Sequence, residues 1–197
     1  MKEKFLTILS SVKREGIDKL IKFLNDSSFF DDPASSNEHN AFKSGLVKHS
    51  LAVYEILDSY RKIHPDLEKL EESIKIIGLL HDFSWTGTFQ SVTKNIPLKN
   101  PDGKNKKRDD GRIVFVEEER FDFIPESIPP YPHGQLSCLM LKQYIKLTKL
   151  EDLAINWHHN SQDYQNSIIM SRAQSMNKLI LYTYFADKEA QLYFGGK

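Results

Sequence analysis

The chain has 197 residues, 27 Lys+Arg against 27 Asp+Glu, 7 His and 1 Cys, and 40% of it is hydrophobic. That length suits one domain carrying an elaboration, and zero formal net charge excludes a global field for nucleic acid or an anionic membrane. A single cysteine excludes a disulfide framework and a cysteine-based zinc finger. No apolar run is long enough to span a bilayer, and the charged start Met1–Phe5 has no signal core, so a soluble, cytoplasmic protein without a membrane partner is expected.

Apolar residues recur every three or four positions over Lys4–Val12 and Ile17–Leu24, which predicts two helices separated at Gly16. The polar, proline-containing stretch Asp31–Asn40 reads as a loop. Leu46–Ile63 is a long amphipathic helix, with Leu46, Val53, Ile56 or Leu57, and Tyr60 on one face. Asp66 is placed to cap the next helix, which runs to about His81. Thr88–Leu98 and Arg112–Phe123, rich in Val, Ile, Phe and Thr, bracket the turn-prone PDGKNKKRDDG and predict a β-hairpin with a basic tip at Lys104, Lys106, Lys107 and Arg108. A proline-rich run, Ile124–Pro132, leads back to helices at about Gly134–Lys146 and Thr148–Trp157, the second with a Thr148/Glu151 capping box. A last helix is predicted over Arg172–Leu192, capped by Ser171 with Gln174. The whole chain, 1–197, reads as a single helical domain with N-terminal helices over 1–30 and a hairpin insertion over 86–132.

The histidines carry the chemistry. His49 falls on the apolar face of its helix, His81 and Asp82 close the next, His133 precedes a helix, His158 and His159 end one, and Asp187 lies on the inward face of the last. An unpaired polar group on an apolar face costs a few kcal/mol. Its recurrence on several helices points to convergence on a divalent metal, whose natural ligands are neutral imidazole and carboxylate. Each element alone is weak: with 7 His and 14 Asp, a His-Asp pair is expected about 0.5 times by chance. A lone inward His is more often a hydrogen-bonded core residue. Cys138, within Leu136–Leu141, reads as a buried small hydrophobe. A donor set without thiolate suits Mn²⁺, Fe²⁺, Co²⁺ or Ni²⁺ better than structural zinc.

Five segments in order, PASSNEHNAFKSGLVKHSLAVYE, GLLHD, PPYPHGQLS, KLEDLAINWHH and FADKEA, resemble the HD-domain superfamily of metal-dependent phosphohydrolases over roughly Phe30–Glu189. The first segment resembles a run of the small bacterial and phage hydrolases and also the HD domain of 3′–5′ exoribonucleases. The resemblance implies an all-α, HD/PDEase-like helical bundle with the hairpin inserted. It also implies divalent metal ions, one or two per chain (Mn, Fe, Co, Ni or Mg), held first by His49, His81, Asp82 and Asp187. His133, His158 and His159 would hold a second ion, with Asp82 bridging. Asp82, His133 and His158 take the catalytic roles, the histidines also being able to bind phosphate. His39 matches a family histidine and becomes a candidate phosphate contact, while the basic hairpin is either a solvated turn or a lid whose Arg112 or tip lysines meet phosphates or a partner chain. Trp85 stands where many relatives carry Lys, and Gly134, Gln135 and Leu136 where small relatives have Gly-Glu-Lys. Trp85 either stacks on a nucleobase or packs in the core, and Phe121, Phe123 and Tyr131 face the same choice.

The expected activity is hydrolysis of a small phosphorylated substrate, such as a nucleotide, by a metal-activated water. Alternatives are a 3′–5′ exonuclease or cyclic-nucleotide phosphodiesterase, and a catalytically weak metal- or nucleotide-binding regulatory module. General nucleic-acid binding is not expected, and a homodimer is among the assemblies the resemblance allows.

Overall fold

The computed structural model describes residues 1–36, 39–127, 131–159 and 164–195. Within these, α1 (Lys2–Ser10) and α2 (Ile17–Asp26) precede the long α3 (Gly45–Ile63) and α4 (Glu71–Leu80). Strands β1 (Phe89–Pro97) and β2 (Phe115–Phe123) follow, then α5 (His133–Leu141), α6 (Lys149–Asn156), α7 (Tyr164–Met176) and α8 (Lys178–Glu189). No described helix is long and apolar enough to cross a membrane.

The helices share one contiguous core that includes Phe5, Leu20, Leu46, Leu57, Ile77, Phe83, Leu141, Ile155 and Ile180. Burial of each such side chain stabilises by roughly 1.5–3 kcal/mol before entropy is subtracted. Cys138 is buried in this core, as its apolar helix predicts. Two glycines set how closely the site-bearing helices approach. A Cβ at Gly78 would lie 2.5 Å from the Tyr54 Cα, so α4 packs against α3 at backbone distance. A Cβ at Gly134 would lie 2.6 Å from the Ile155 carbonyl oxygen, which brings the start of α5 onto the end of α6.

The all-α class expected from the resemblance does not hold, whereas a helical bundle with an inserted β-hairpin does. The chain is mostly helical, but β1 and β2 form a two-stranded antiparallel sheet whose register runs from Phe89↔Phe123 to Pro97↔Phe115. Branched and aromatic residues pair across it, and Lys94 forms an ion pair with Asp122. β2 begins three residues later than expected, because Arg108–Arg112 folds into a turn in which the Arg108 amide donates to the Arg112 carbonyl at 2.8 Å. Lys106 is drawn between the strand ends, its amide donating to Leu98 and its carbonyl accepting from Val114. The proline-rich run over 124–132 lies partly outside the described residues.

Three helix boundaries differ from expectation for local reasons. Asp66 caps nothing: it sits in a 3₁₀ turn, Pro65–Leu70, and pairs with Lys178. Ser171 does not start the last helix, since its hydroxyl donates back to the Ser167 carbonyl at 2.9 Å inside α7. The break comes at extended Asn177, whose side-chain oxygen accepts the Leu179 amide at 2.9 Å and starts α8. α5 ends at Leu141 rather than Lys146.

The Thr148/Glu151 capping box forms, with the Thr148 amide 2.7 Å from Glu151 Oε2 and the Glu151 amide 3.2 Å from Thr148 Oγ1. Glu151, fully buried, also accepts from Arg14 Nη1 at 2.6 Å and Ser73 Oγ at 2.8 Å, tying α6 to α4 and to the α1–α2 connection. Glu151→Ala therefore removes the buried partner of Arg14, which keeps only the more exposed Glu72, and leaves the Thr148 amide uncapped, at a cost of about 3 kcal/mol. A fall in melting temperature of roughly 6–12 °C is expected for a chain of this size, read by calorimetry. A fall below about 2 °C would mean that the ion pair and cap do not hold α6 in place.

Candidate metal centre

Three helices and the turns that follow two others deliver the cluster. His49 lies on the inward face of α3, and His81 and Asp82 follow α4. His133 opens α5, His158 follows α6, and Asp187 lies in the last turn of α8. His49, His81, Asp82, His158 and Asp187 are all under 5% exposed. The turn after Asp82 is pinned to α5 by Ser84, whose amide donates to Ser137 Oγ at 3.0 Å and whose hydroxyl donates to the His133 carbonyl at 2.9 Å. With the close contact at Gly134, this holds His133 over His158.

The two oxygens of Asp82 face different groups. Oδ2 lies 3.4 Å from His81 Nε2 and 3.6 Å from His49 Nε2. Oδ1 lies 3.2 Å from His158 Nε2 and 3.5 Å from His133 Nε2. Asp187 Oδ1 completes the first group, 3.0 Å from His49 Nε2 and 3.9 Å from His81 Nε2. Within each group the imidazoles nearly touch, His49 and His81 at 3.1 Å and His133 and His158 at 3.0 Å between Nε2 atoms.

The outer nitrogens decide the tautomers. His81 Nδ1 donates to the Gly78 carbonyl at 3.1 Å and His158 Nδ1 to the Ile155 carbonyl at 2.6 Å, since a carbonyl can only accept. The neutral forms of both rings therefore turn an Nε2 lone pair inward, the orientation of a metal ligand supported from behind. Asp82 Oδ1, buried and without a hydrogen bond, faces such a lone pair. Acceptors that converge on acceptors are mutually repulsive unless a cation lies among them. One ligand atom each from His49, His81 and Asp187, and one each from His81, Asp82 and His158, lie within 4.8 Å of one another. The nitrogen/oxygen donor set and this arrangement fit a divalent metal.

The electrostatics are those of coupled buried groups. Burial would raise the Asp82 carboxyl, but His81 and His158 hold it well below the ordinary range. Asp187 is likewise raised by burial, but the hydrogen bond from His49 together with the charges of His49, His158 and His81 outweighs this and lowers it. Burial lowers His81, but Asp82 and then Asp187 outweigh it and leave its pKa raised. Burial, helped by His158, pushes His133 down to about 3 and His159 to about 4.

A cavity of about 340 Å³ opens beside the cluster, lined by Asp82, His133, His158, His159 and Asp187 on one side and by Trp85, Phe89 and Phe123 on another. His39 lines it too, its ring centroid 4.9 Å from that of His49. His159 is a wall residue at the rim: Lys188 Nζ is 3.3 Å from its Nδ1, and that nitrogen lies 3.8 Å from Asp187 Oδ2, the oxygen turned away from His49. Trp85 is half-buried and stacks on His133 at 5.1 Å and 20°. Phe123 joins the wall, whereas Tyr131 lines a smaller neighbouring pocket and Phe121 does neither. Arg112 is not at the cavity: it is exposed beside Asp110, three residues beyond the far end of β2. That end is separated from Phe123 by eight strand residues, about 26 Å.

Gln191 was not legible as a site residue. Its amide donates to Asp187 Oδ2 at 2.7 Å and turns Oδ1 toward His49, while Lys188 Nζ donates to Gln191 Oε1 at 2.8 Å. The only signal was position, one helical turn after Asp187. Asp32, buried, takes the Gly87 amide at 2.7 Å and Ser28 Oγ at 2.8 Å, joining the loop before α3 to the base of the hairpin.

No protein-family model matches the chain, and no curated protein or solved structure matches it either.

His133 and His159 sit below the ordinary imidazole value of 6.5. The unfolded chain therefore binds protons that these sites refuse, and their contribution to stability is complete above pH 6.5 and lost as pH falls toward 4 and then 3. His81 acts oppositely, its contribution fading as pH rises past 6.5. Metal-stripped protein is expected to lose melting temperature from pH 6.5 to 4, with a shallower loss in His133→Asn and His159→Asn. Identical slopes in parent and variants would refute this origin of the acid sensitivity.

Proposed function

We propose that the protein is a metal-dependent phosphohydrolase acting on a small phosphorylated compound, with the chemistry of the HD-domain hydrolases its motifs resemble. The observation that carries this reading is the division of Asp82, with one oxygen turned to His49 and His81 and the other to His133 and His158. His49, His81, Asp187 and Asp82 would hold one ion, and His133, His158 and the other Asp82 oxygen a second. When bound, divalent cations supply Lewis-acid polarisation of a phosphoryl oxygen and activation of water for attack at phosphorus.

The chain's own residues supply the rest. The Gly78 and Ile155 carbonyls keep His81 and His158 in the tautomer that presents Nε2. Gln191 orients Asp187 through its second oxygen. His133, with its pKa at about 3, is neutral at pH 7 and offers a lone pair to an ion or a neutral N–H to a phosphoryl oxygen rather than a positive charge. The aromatic side of the cavity limits water around the reacting group.

A cavity near 340 Å³ is at the small end of the roughly 300–1,000 Å³ typical of ligand sites. Together with zero net charge, this favours a small substrate over the polymer of an exonuclease. The test is hydrolysis of nucleotides, sugar phosphates, cyclic nucleotides and short RNA by protein stripped and reloaded with Mn²⁺, Fe²⁺, Co²⁺, Ni²⁺ or Mg²⁺, with bound metal measured in parallel. Asp82→Ala should lose bound metal and at least about 100-fold in rate, since even residues behind a ligand are worth 10–100-fold. An Asp82→Ala protein as active as the parent would sink the site assignment. Metal binding without turnover of any substrate would leave a binding module instead.

A further inference from the structure

The cavity has two unlike walls. Beside the histidines and carboxylates, the lining includes Trp85, Phe89 and Phe123. Phe89 and Phe123 are register partners at the base of the hairpin, so their side chains leave the same face of the sheet. Their ring centroids lie 4.8 Å apart, and Trp85 lies 5.6 Å from Phe89 and 5.8 Å from Phe123. Neither phenylalanine belongs to the helical core, although Phe89 is only 7% exposed. The hairpin thus gathers its own aromatic cluster and turns part of it, including a Phe123 that is 36% exposed, toward the cavity. Trp85 links this cluster to the metal centre through its stack on His133.

Apolar ring surface left open beside a strongly polar cluster gains free energy when a planar apolar group covers it. A ligand spanning both walls must therefore join an anion to an aromatic plane within about 340 Å³. We propose that Trp85, Phe89 and Phe123 form a subsite for a planar aromatic group carried by the phosphorylated substrate, of which a nucleobase on a mononucleotide is the representative case. The subsite deepens the phosphohydrolase reading and rests on it for the position of the phosphate. Phe123 is the specificity-determining residue, because its ring is the most exposed of the three wall residues whose exposure leaves a face to cover.

The test is isothermal titration of Mn²⁺-loaded protein with AMP, adenosine, phenyl phosphate and ribose 5-phosphate. AMP and phenyl phosphate are expected to bind tighter than ribose 5-phosphate, AMP by about 10- to 100-fold, the range that stacking of one base supports. Adenosine should bind measurably without any phosphate. In Phe123→Ala, and in Phe123→Leu, which keeps bulk but removes the flat face, the AMP to ribose 5-phosphate ratio should fall toward one while far-UV dichroism stays at the parent value. If Phe123→Ala unfolds, Phe123→Leu decides. AMP binding no tighter than ribose 5-phosphate, a ratio that survives in the folded variant, or no binding of AMP and adenosine would each overturn the subsite. The two readings fail separately. Tight AMP and adenosine binding with no hydrolysis of any phosphate would sink the phosphohydrolase and keep the subsite. Equal hydrolysis and binding of AMP and ribose 5-phosphate would do the reverse.

Discussion

Two carboxylates and four imidazoles meet at one point of the fold, five of the six side chains almost wholly out of water. Each alone, on the inner face of its helix, would be a defect worth a few kcal/mol. Pooled, they form one donor set: Asp82 and Asp187 are held ionised by the rings around them, and backbone carbonyls orient His81 and His158. The rest of the architecture serves this pooling. Gly78 and Gly134 permit the backbone approaches that bring His81 to His49 and His133 to His158, and the Asn177 cap starts the helix on which Asp187 sits.

The hairpin is a second, partly independent device. Its far half is a polar, exposed tip with Arg112 paired to its own loop. Its near end closes with Phe89 opposite Phe123 and packs onto Trp85. Asp32 and the Gly87 amide fasten that end to the loop before α3, so the aromatic wall and His39 face one cavity. A polar cluster that concentrates charge and an apolar wall that excludes water reinforce one another, because electrostatic interactions strengthen as the local dielectric falls.

Legibility along the chain followed the range of the interaction. His49 could be placed inward because helical periodicity is local, and the Thr148/Glu151 capping box because it spans one turn. Ser171 and Asn177 show the limit: both are good caps in isolation, and only the turn of α7 above Ser171 made its hydroxyl a back-bonding group rather than a start signal. Arg112 was drawn toward phosphate by its charge, yet strand length carries it away from the cavity. Gln191 and Lys188 carried no chemical flag and became site residues only through their position beside Asp187.

By itself, the sequence determined the residue types able to hold a metal, the helices that carry them, and the presence of a hairpin between His81 and His133. Those follow from side-chain chemistry and from periodicities of a few residues. Tertiary structure decided the rest. It fixed which Asp82 oxygen faces which histidine pair, set His159 at the rim, and brought Phe123 beside Trp85. Each of these depends on how closely backbones approach and on which strand residues fall opposite, and such long-range contacts leave no periodic trace in the chain.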